Sequence, residues 1–290
     1  MVTPNNLVLD RIEIGGGRGL TTGTVGAVDD LHARRAASFG SVATEYAMHR
    51  PDYPDQAVAW ALASVPTSAL NSATVLDLGA GTGKLTAAIV RCGVPATRVL
   101  AVEPDDGMRA ELSQRLPEIA VLRGSAEQIP AEEGAMDAVL VGQAFHWFDP
   151  DRALPEIARV LRPGGVLAVI SNTEDDSVGW VAELAAATQT VRSVGSIGLG
   201  FADVPHHPAF GKPTQRRFHW RWPRTTDSLL ATVSTHSWTL VSGPEERAAA
   251  LRAIRRFLEQ HPATRDGAFE LPMQTLVHRA TRRDQPMLRS

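Results

Sequence analysis

Three glycines at alternate positions, Gly79, Gly81 and Gly83, follow a short apolar run, Val75–Leu78, that contains one acid, Asp77. A strand that turns into a helix through glycines can bring bare backbone N–H groups against a ligand. A carboxylate inside an apolar run is costly to bury unless hydrogen bonds satisfy it, so Asp77 is a candidate polar contact at that turn. A second apolar run, Arg98–Val102, ends in Glu103, twenty residues beyond Gly83. An acid in that register is where a nucleotide-type fold holds a ribose. The chemistry indicated is therefore recognition of a ligand that carries a ribose.

The spacing excludes two common phosphate cradles. The dinucleotide fingerprint G-x-G-x-x-G would need glycine at position 84, which is Lys84. This disfavours an NAD-dependent oxidoreductase. The P-loop would need glycine at position 78 and Ser or Thr at position 85, and both are leucine. What remains is acid-x-G-x-G-x-G with a second acid at the end of the next strand.

These residues need strands and helices in alternation to position them. Strands are predicted at Val75–Leu78, Val99–Glu103, Ile119–Leu122, Ala138–Val141 and Val166–Ser171, and helices at Lys84–Arg91, Asp106–Leu116 and Arg152–Leu161. The strands are nearly continuous apolar runs, as in a parallel sheet covered on both faces. The alternation predicts a doubly wound α/β fold. Arg162-Pro163-Gly164-Gly165 predicts a sharp turn into the fifth strand. A helix, a break at Pro51 and Pro54, and a second helix over Gln56–Ala63 precede this core. Beyond Asn172, helices are predicted at Val178–Val191, Leu229–Leu240 and Glu245–Gln260, and strands at Arg217–Trp222 and Ala268–Ala280. The expected organisation is a tail over residues 1–35, a core with N-terminal lid helices over 36–172, and a helical insert plus the final strands over 173–290.

Composition narrows the partners. The chain has 290 residues, 43% of them hydrophobic and 21% charged, with a net charge of −3. That balance gives no basic footprint for nucleic acid. Cys92 is the only cysteine, which rules out an intrachain disulfide and a cysteine zinc site. No signal-peptide pattern and no membrane-length apolar run are present, so a cytoplasmic location is expected. Glu174-Asp175-Asp176 reads as a solvated loop, and no metal is expected.

The acid-glycine pattern resembles the class I S-adenosylmethionine (SAM)-dependent methyltransferases. Asp137-Ala138-Val139-Leu140-Val141-Gly142-Gln143-Ala144-Phe145-His146-Trp147-Phe148 resembles their type 11 branch, and within it the trans-aconitate-methyltransferase-like enzymes of small molecules. Arg162-Pro163-Gly164-Gly165 and the early Tyr46…Arg50-Pro51…Tyr53-Pro54 element belong to the same likeness. The resemblance implies a mostly parallel seven-stranded, Rossmann-like sheet with a helical C-terminal insert that caps the acceptor. It implies a cofactor site made by Tyr46, Arg50, Asp77, Gly79, Ala80, Gly81, Thr82, Glu103, Pro104, Met108, Ser125, Ala126, Glu127, Gln143 and Ala144. In that site Glu103 accepts hydrogen bonds from both ribose hydroxyls, and Gly124–Pro130 reads the adenine edge. Many relatives carry Asp where this chain has Ser125, so either Glu127 or a backbone group would supply the adenine contact. Arg50 would pair with the cofactor's carboxylate.

The implied reaction is in-line transfer of the sulfonium methyl to a small acceptor, with S-adenosylhomocysteine (SAH) as co-product. Positioning and exclusion of water supply most of what such a transfer needs. A base is required only if the acceptor arrives protonated. His146 is then either that base or a group that shapes the cofactor site. His146, Trp147 and Phe148 are the candidate acceptor pocket. The alternatives are an RNA or protein methyltransferase, or a SAM-binding protein without turnover.

Overall fold

The computed structural model describes residues 43–63, 65, 67–189, 204–236, 239 and 242–284. The expected tail, and the end of the helix expected over Val178–Val191, lie outside them. Seven strands form one sheet: β1 (Val75–Leu78), β2 (Val99–Val102), β3 (Ala120–Leu122), β4 (Met136–Gly142), β5 (Leu161–Glu174), β6 (Thr214–Thr225) and β7 (Ala268–Thr281). Their order is β3-β2-β1-β4-β5-β7-β6. β1 to β5 are parallel, and β7 runs antiparallel to both β5 and β6. The chain winds one way from β1 to β3, then returns to place β4 on the other side of β1. The carboxyl ends of β1 and β4 therefore flank the point where a doubly wound sheet opens a crevice.

Successive strand residues point to opposite faces, and the core divides accordingly. Ala138 and Leu140 join the layer that contains α2 (Asp55–Leu62), α3 (Lys84–Arg91) and part of α4 (Asp106–Arg115). Val139 and Val141 join the layer under α5 (Pro150–Val160). Local chemistry sets the helix starts. The Asp105 carboxylate accepts from the Met108 amide at 2.8 Å and opens α4. Thr225 and Ser228 form a capping box that opens α7 (Thr226–Ser234). Pro54 precedes α2, so the proline break separates it from α1 (Ala43–His49) as expected.

The antiparallel pair β6–β7 extends past the end of β5. β5 ends with Glu174 opposite Met273, whereas β7 continues from Pro272 back to Ala268 with only β6 beside it. This overhang carries a third core. Val181 and Leu184 of α6 (Gly179–Gln189), Leu229 and Leu230 of α7, and Ile254 and Leu258 of α8 (Pro244–Gln260) pack with Leu271 and Met273.

Three expectations need correction. Arg162-Pro163-Gly164-Gly165 is not a turn before a strand; it lies inside β5, where the register against β4 shifts between Met136 and Ala138. The extra residues form an irregularity in the pairing, held by Gly164 N–H to Arg282 O at 3.1 Å and Arg282 N–H to Gly165 O at 2.8 Å. β6 is twice the expected length, because β7 offers a partner along its whole run. The helix expected at Leu229–Leu240 starts earlier, at Thr226, set by its capping box, and α7 ends at Ser234; residues 237, 238 and 240 of the expected range lie outside the described residues.

The third core predicts a measurable cost. Leu258 is fully buried there. Leu258→Ala is expected to lower stability by about 2–5 kcal/mol in urea denaturation. A loss well under about 1 kcal/mol would mean that the three helices do not pack as one core.

Candidate active site

The glycine turn joins β1 to α3 and is fastened to β2. The amides of Gly79 and Ala80 donate to Val102 O at 2.8 and 3.1 Å. The Gly81 amide donates to Glu103 Oε2 at 2.9 Å. Gly79 has φ +70°, and a Cβ there would stand 2.7 Å from the Ala144 Cβ, so any side chain would push the β4 loop away. Gly81 has φ +56° and its missing Cβ would meet nothing within 4 Å. That opening leaves the backbone bare toward the crevice.

Both acids are buried. Asp77 is 0% exposed. Its Oδ2 accepts from the Thr86 hydroxyl at 2.6 Å, while Oδ1 has no partner. Burial pushes its carboxyl up from 3.8 to about 7, opposed by the Thr86 bond and assisted by the nearby Glu103. Glu103 uses Oε1 to accept from the Asp105 amide at 3.0 Å and Oε2 for the Gly81 amide. Burial raises its carboxyl too, against the pull of those two amides.

A cleft opens at the ends of β1 and β4. Tyr46, Arg50, Asp77, Gly79, Ala80, Gly81, Thr82 and Gln143 line it, all candidates from the sequence. Among the described residues, three buried polar atoms of this lining have no hydrogen-bond partner: Asp77 Oδ1, Thr82 Oγ1 and Arg50 Nε. Buried polar groups are rarely left so, and three around one cleft make it the candidate ligand site. The set combines a carboxylate with a hydroxyl and a guanidinium. This suits an amino-acid zwitterion such as the methionine end of SAM.

The roof of the cleft comes from α1 and the turn after it. Arg50 lies over the Tyr46 ring at 5.1 Å and donates through Nη2 to Thr235 O at 3.1 Å. The Thr232 hydroxyl donates to His49 O at 2.8 Å. At the other end, Thr44 donates to Glu111 Oε2 at 2.9 Å. α1 therefore spans from α4 to the end of α7.

Other walls were not singled out from sequence. Lys84, Leu85, Gly142 and Asn172 also line the cleft. Gly142 was legible as a breaker, and its reason is Tyr53: a Cβ at 142 would stand 2.6 Å from the buried Tyr53 hydroxyl. Asn172 carried a signal in being polar at the end of an apolar strand.

Several candidates are not on this wall. Glu103, Pro104 and Met108 lie at the end of β2 and the start of α4, beside the glycine turn through the Glu103–Gly81 bond. Ala126 is buried in the layer under α5. Ser125 pairs with Gln128 in a short bridge. Glu127 accepts from the Asp149 amide at 3.0 Å, which commits one of its oxygens to the helix start. Ala144 supports Gly79 from behind. His146, Trp147 and Phe148 are not among the cleft-lining residues, although the Phe148 ring backs the glycine turn, its Cζ 3.5 Å from where a Gly79 Cβ would stand. Phe145–Trp147 forms a 3-10 turn that sets the His146 ring 4.7 Å from Trp147. Phe148 packs 5.6 Å from the buried Phe145. The acidic triplet is corrected as well: Asp175 is buried, accepting from Ser177 Oγ at 2.6 Å and lying 2.7 Å from His219 Nδ1.

Asp77 generates a pH prediction. Its folded value of about 7 lies above its ordinary 3.8, so between those values the folded chain keeps a proton that the unfolded chain has shed. The associated stability is fully present below about pH 4 and is lost as pH rises to about 7. Asp77→Asn removes this dependence. The stability of the variant relative to the parent is expected to rise by roughly 2–4 kcal/mol between those pH values. A difference that stays flat across that range would contradict a raised Asp77.

A family model for the methyltransferase domain matches residues 76–169. An uncharacterized methyltransferase of Mycobacterium tuberculosis is 39% identical over 249 residues, covering 84% of this chain and 95% of that one. An uncharacterized methyltransferase of Schizosaccharomyces pombe is 40% identical over 144 residues, covering 50% and 56% of the two chains. A solved structure of a candidate type II methyltransferase from Anaeromyxobacter dehalogenans shares the fold, with a TM-score of 0.59 at 22% identity over 82% of this chain and 99% of that one. With that coverage and the crevice geometry together, the chain belongs to the class I SAM-dependent methyltransferases.

Proposed function

We propose that this methyltransferase acts on a small molecule, within the trans-aconitate-methyltransferase-like group, and that its cleft is the SAM site. The observation that carries the reading is the trio of unpartnered polar atoms, Asp77 Oδ1, Thr82 Oγ1 and Arg50 Nε, around one roofed cleft. Asp77 would accept from the ammonium of the methionine end. Thr82 and Arg50 would donate to its carboxylate. Glu103 would take the ribose hydroxyls, with Pro104, Met108, Ser125, Ala126 and Glu127 forming the adenine side. When bound, SAM supplies an already activated sulfonium methyl.

The chain's own work is then to align the acceptor and exclude water. Tyr46, Arg50, Tyr53, Gln143 and Asn172 line the part of the cleft under α1. The Tyr53 hydroxyl is held protonated by burial, which pushes it well above its ordinary range. It therefore serves as a hydrogen-bond donor and not as a base. His146 packs beside Trp147, with 4.7 Å between the ring centroids, which supports a role in shaping the neighbouring loop. The segment 173–290 contributes the cap through α7, whose end holds α1 in place. A cleft roofed in this way admits a metabolite more readily than a polymer.

Two measurements test this. The full chain incubated with methyl-labelled SAM and a whole cell extract is expected to yield a labelled small molecule heavier by one methyl group. Label found only in the protein or RNA fraction would overturn the small-molecule reading. Glu103→Gln would set an amide NH₂ against one of the two backbone N–H donors that Glu103 now accepts. Its SAH affinity by calorimetry is expected to fall by about 1–3 kcal/mol. An unchanged affinity in the folded variant would remove Glu103 from the site.

A further inference from the structure

We propose that Trp220, Thr275 and Asn172 form a positioning relay, running from the edge strand β6 across β7 to the cleft, that fixes the Arg50–Tyr53 turn over the site. The proposal rests on the reading of the cleft as the SAM site. Trp220 Nε1 donates to Thr275 Oγ1 at 3.0 Å. An indole N–H can only donate, so the Thr275 oxygen is the acceptor and its own proton is directed elsewhere. It goes to Asn172 Oδ1, 2.6 Å away. That assigns the Asn172 amide: Oδ1 faces Thr275 and Nδ2 faces the turn, where it donates to Asp52 O at 3.1 Å. The Asn172 backbone carbonyl accepts from Gln143 Nε2 at 2.6 Å.

The consequences meet at the cleft. Asp52 is held twice, by Asn172 through its carbonyl and by Lys84 Nζ through its carboxylate at 2.8 Å. Asp52 lies between Arg50 and Tyr53, which both line the cleft. Gln143 sits at φ +58°, a region disfavoured for a residue with a side chain. With one N–H of Nε2 committed to Asn172, its amide keeps the second N–H and Oε1 to offer a ligand. Thr275 is 0% exposed and Asn172 7%, so water cannot replace a lost partner in the relay. Trp220 itself packs on the third core under α6, α7 and α8. The relay thus ties the orientation of cleft groups to the antiparallel β6–β7 pair.

The test is SAH binding by calorimetry on the full chain, at a temperature where circular dichroism shows each variant folded. Thr275→Val keeps the shape and removes the hydroxyl, and is expected to raise the SAH Kd roughly tenfold. Thr275→Ser, which restores the hydroxyl, is expected to return the Kd to near that of the parent. Trp220→Phe removes the fixed donor but leaves the Thr275–Asn172 bond, and is expected to raise the Kd roughly threefold. A lowered melting temperature in Thr275→Val with an unchanged Kd would make the network purely structural and overturn the proposal. If Thr275→Val does not fold, Trp220→Phe decides, and an unchanged Kd there overturns it. A parent chain that does not bind SAH would instead overturn the reading of the cleft, and the relay with it.

Discussion

The hydrogen bond from the Gly81 amide to Glu103 Oε2 fastens the turn after β1 to the end of β2, and the site depends on that fastening. It can form only because β1 and β2 are adjacent and in register, Leu78 opposite Val102. It also needs a backbone that follows positive φ at Gly79 and Gly81. The same turn opens α3 at Gly83 and brings Asp77, Thr82 and the bare Gly81 backbone to one crevice. Burying two carboxylates so close together is costly, and each is handled differently. Glu103 has both oxygens satisfied by amides, whereas Asp77 keeps one oxygen open. A buried carboxylate oxygen without a partner on the cleft wall is a group poised for a cationic partner.

The second constraint is the overhang of β6 and β7. An edge strand of twelve residues with only β7 beside it would be a liability in isolation. Three helices cover one side of it and form a core separate from the two layers of the sheet. The end of α7 from that core then reaches back to α1 through Thr232 and Thr235. The lid over the cleft is thereby linked to the C-terminal half of the chain by specific hydrogen bonds, not by packing alone.

The parts legible in sequence were those governed by local rules. β1 and α3 fall on their expected bounds, because four apolar residues and a glycine turn leave the backbone few choices. The place of the buried acid at the end of β2 and the cleft residues of the glycine turn follow from spacing. What spacing could not show were partners set by the sheet. β6 and β5 exceed their apolar runs because β7 extends both. Arg162–Gly165 reads as a turn but is taken into β5 by pairing with the Arg282 backbone. His146-Trp147-Phe148 follows the strand whose end forms the site, yet none of the three lines the cleft, and Phe148 reaches only the back of the glycine turn at Gly79. Asn172 and Tyr53 enter the site through contacts with residues far along the chain.

The central claim is that SAM occupies the crevice between the glycine turn and the α1 lid. Amide hydrogen exchange of the full chain with and without SAH tests it most directly. The account predicts slowed exchange in residues 46–53, 77–84, 103–105 and 142–144, with the β3 edge unaffected. Protection confined to other segments, or none at saturating SAH, would contradict it.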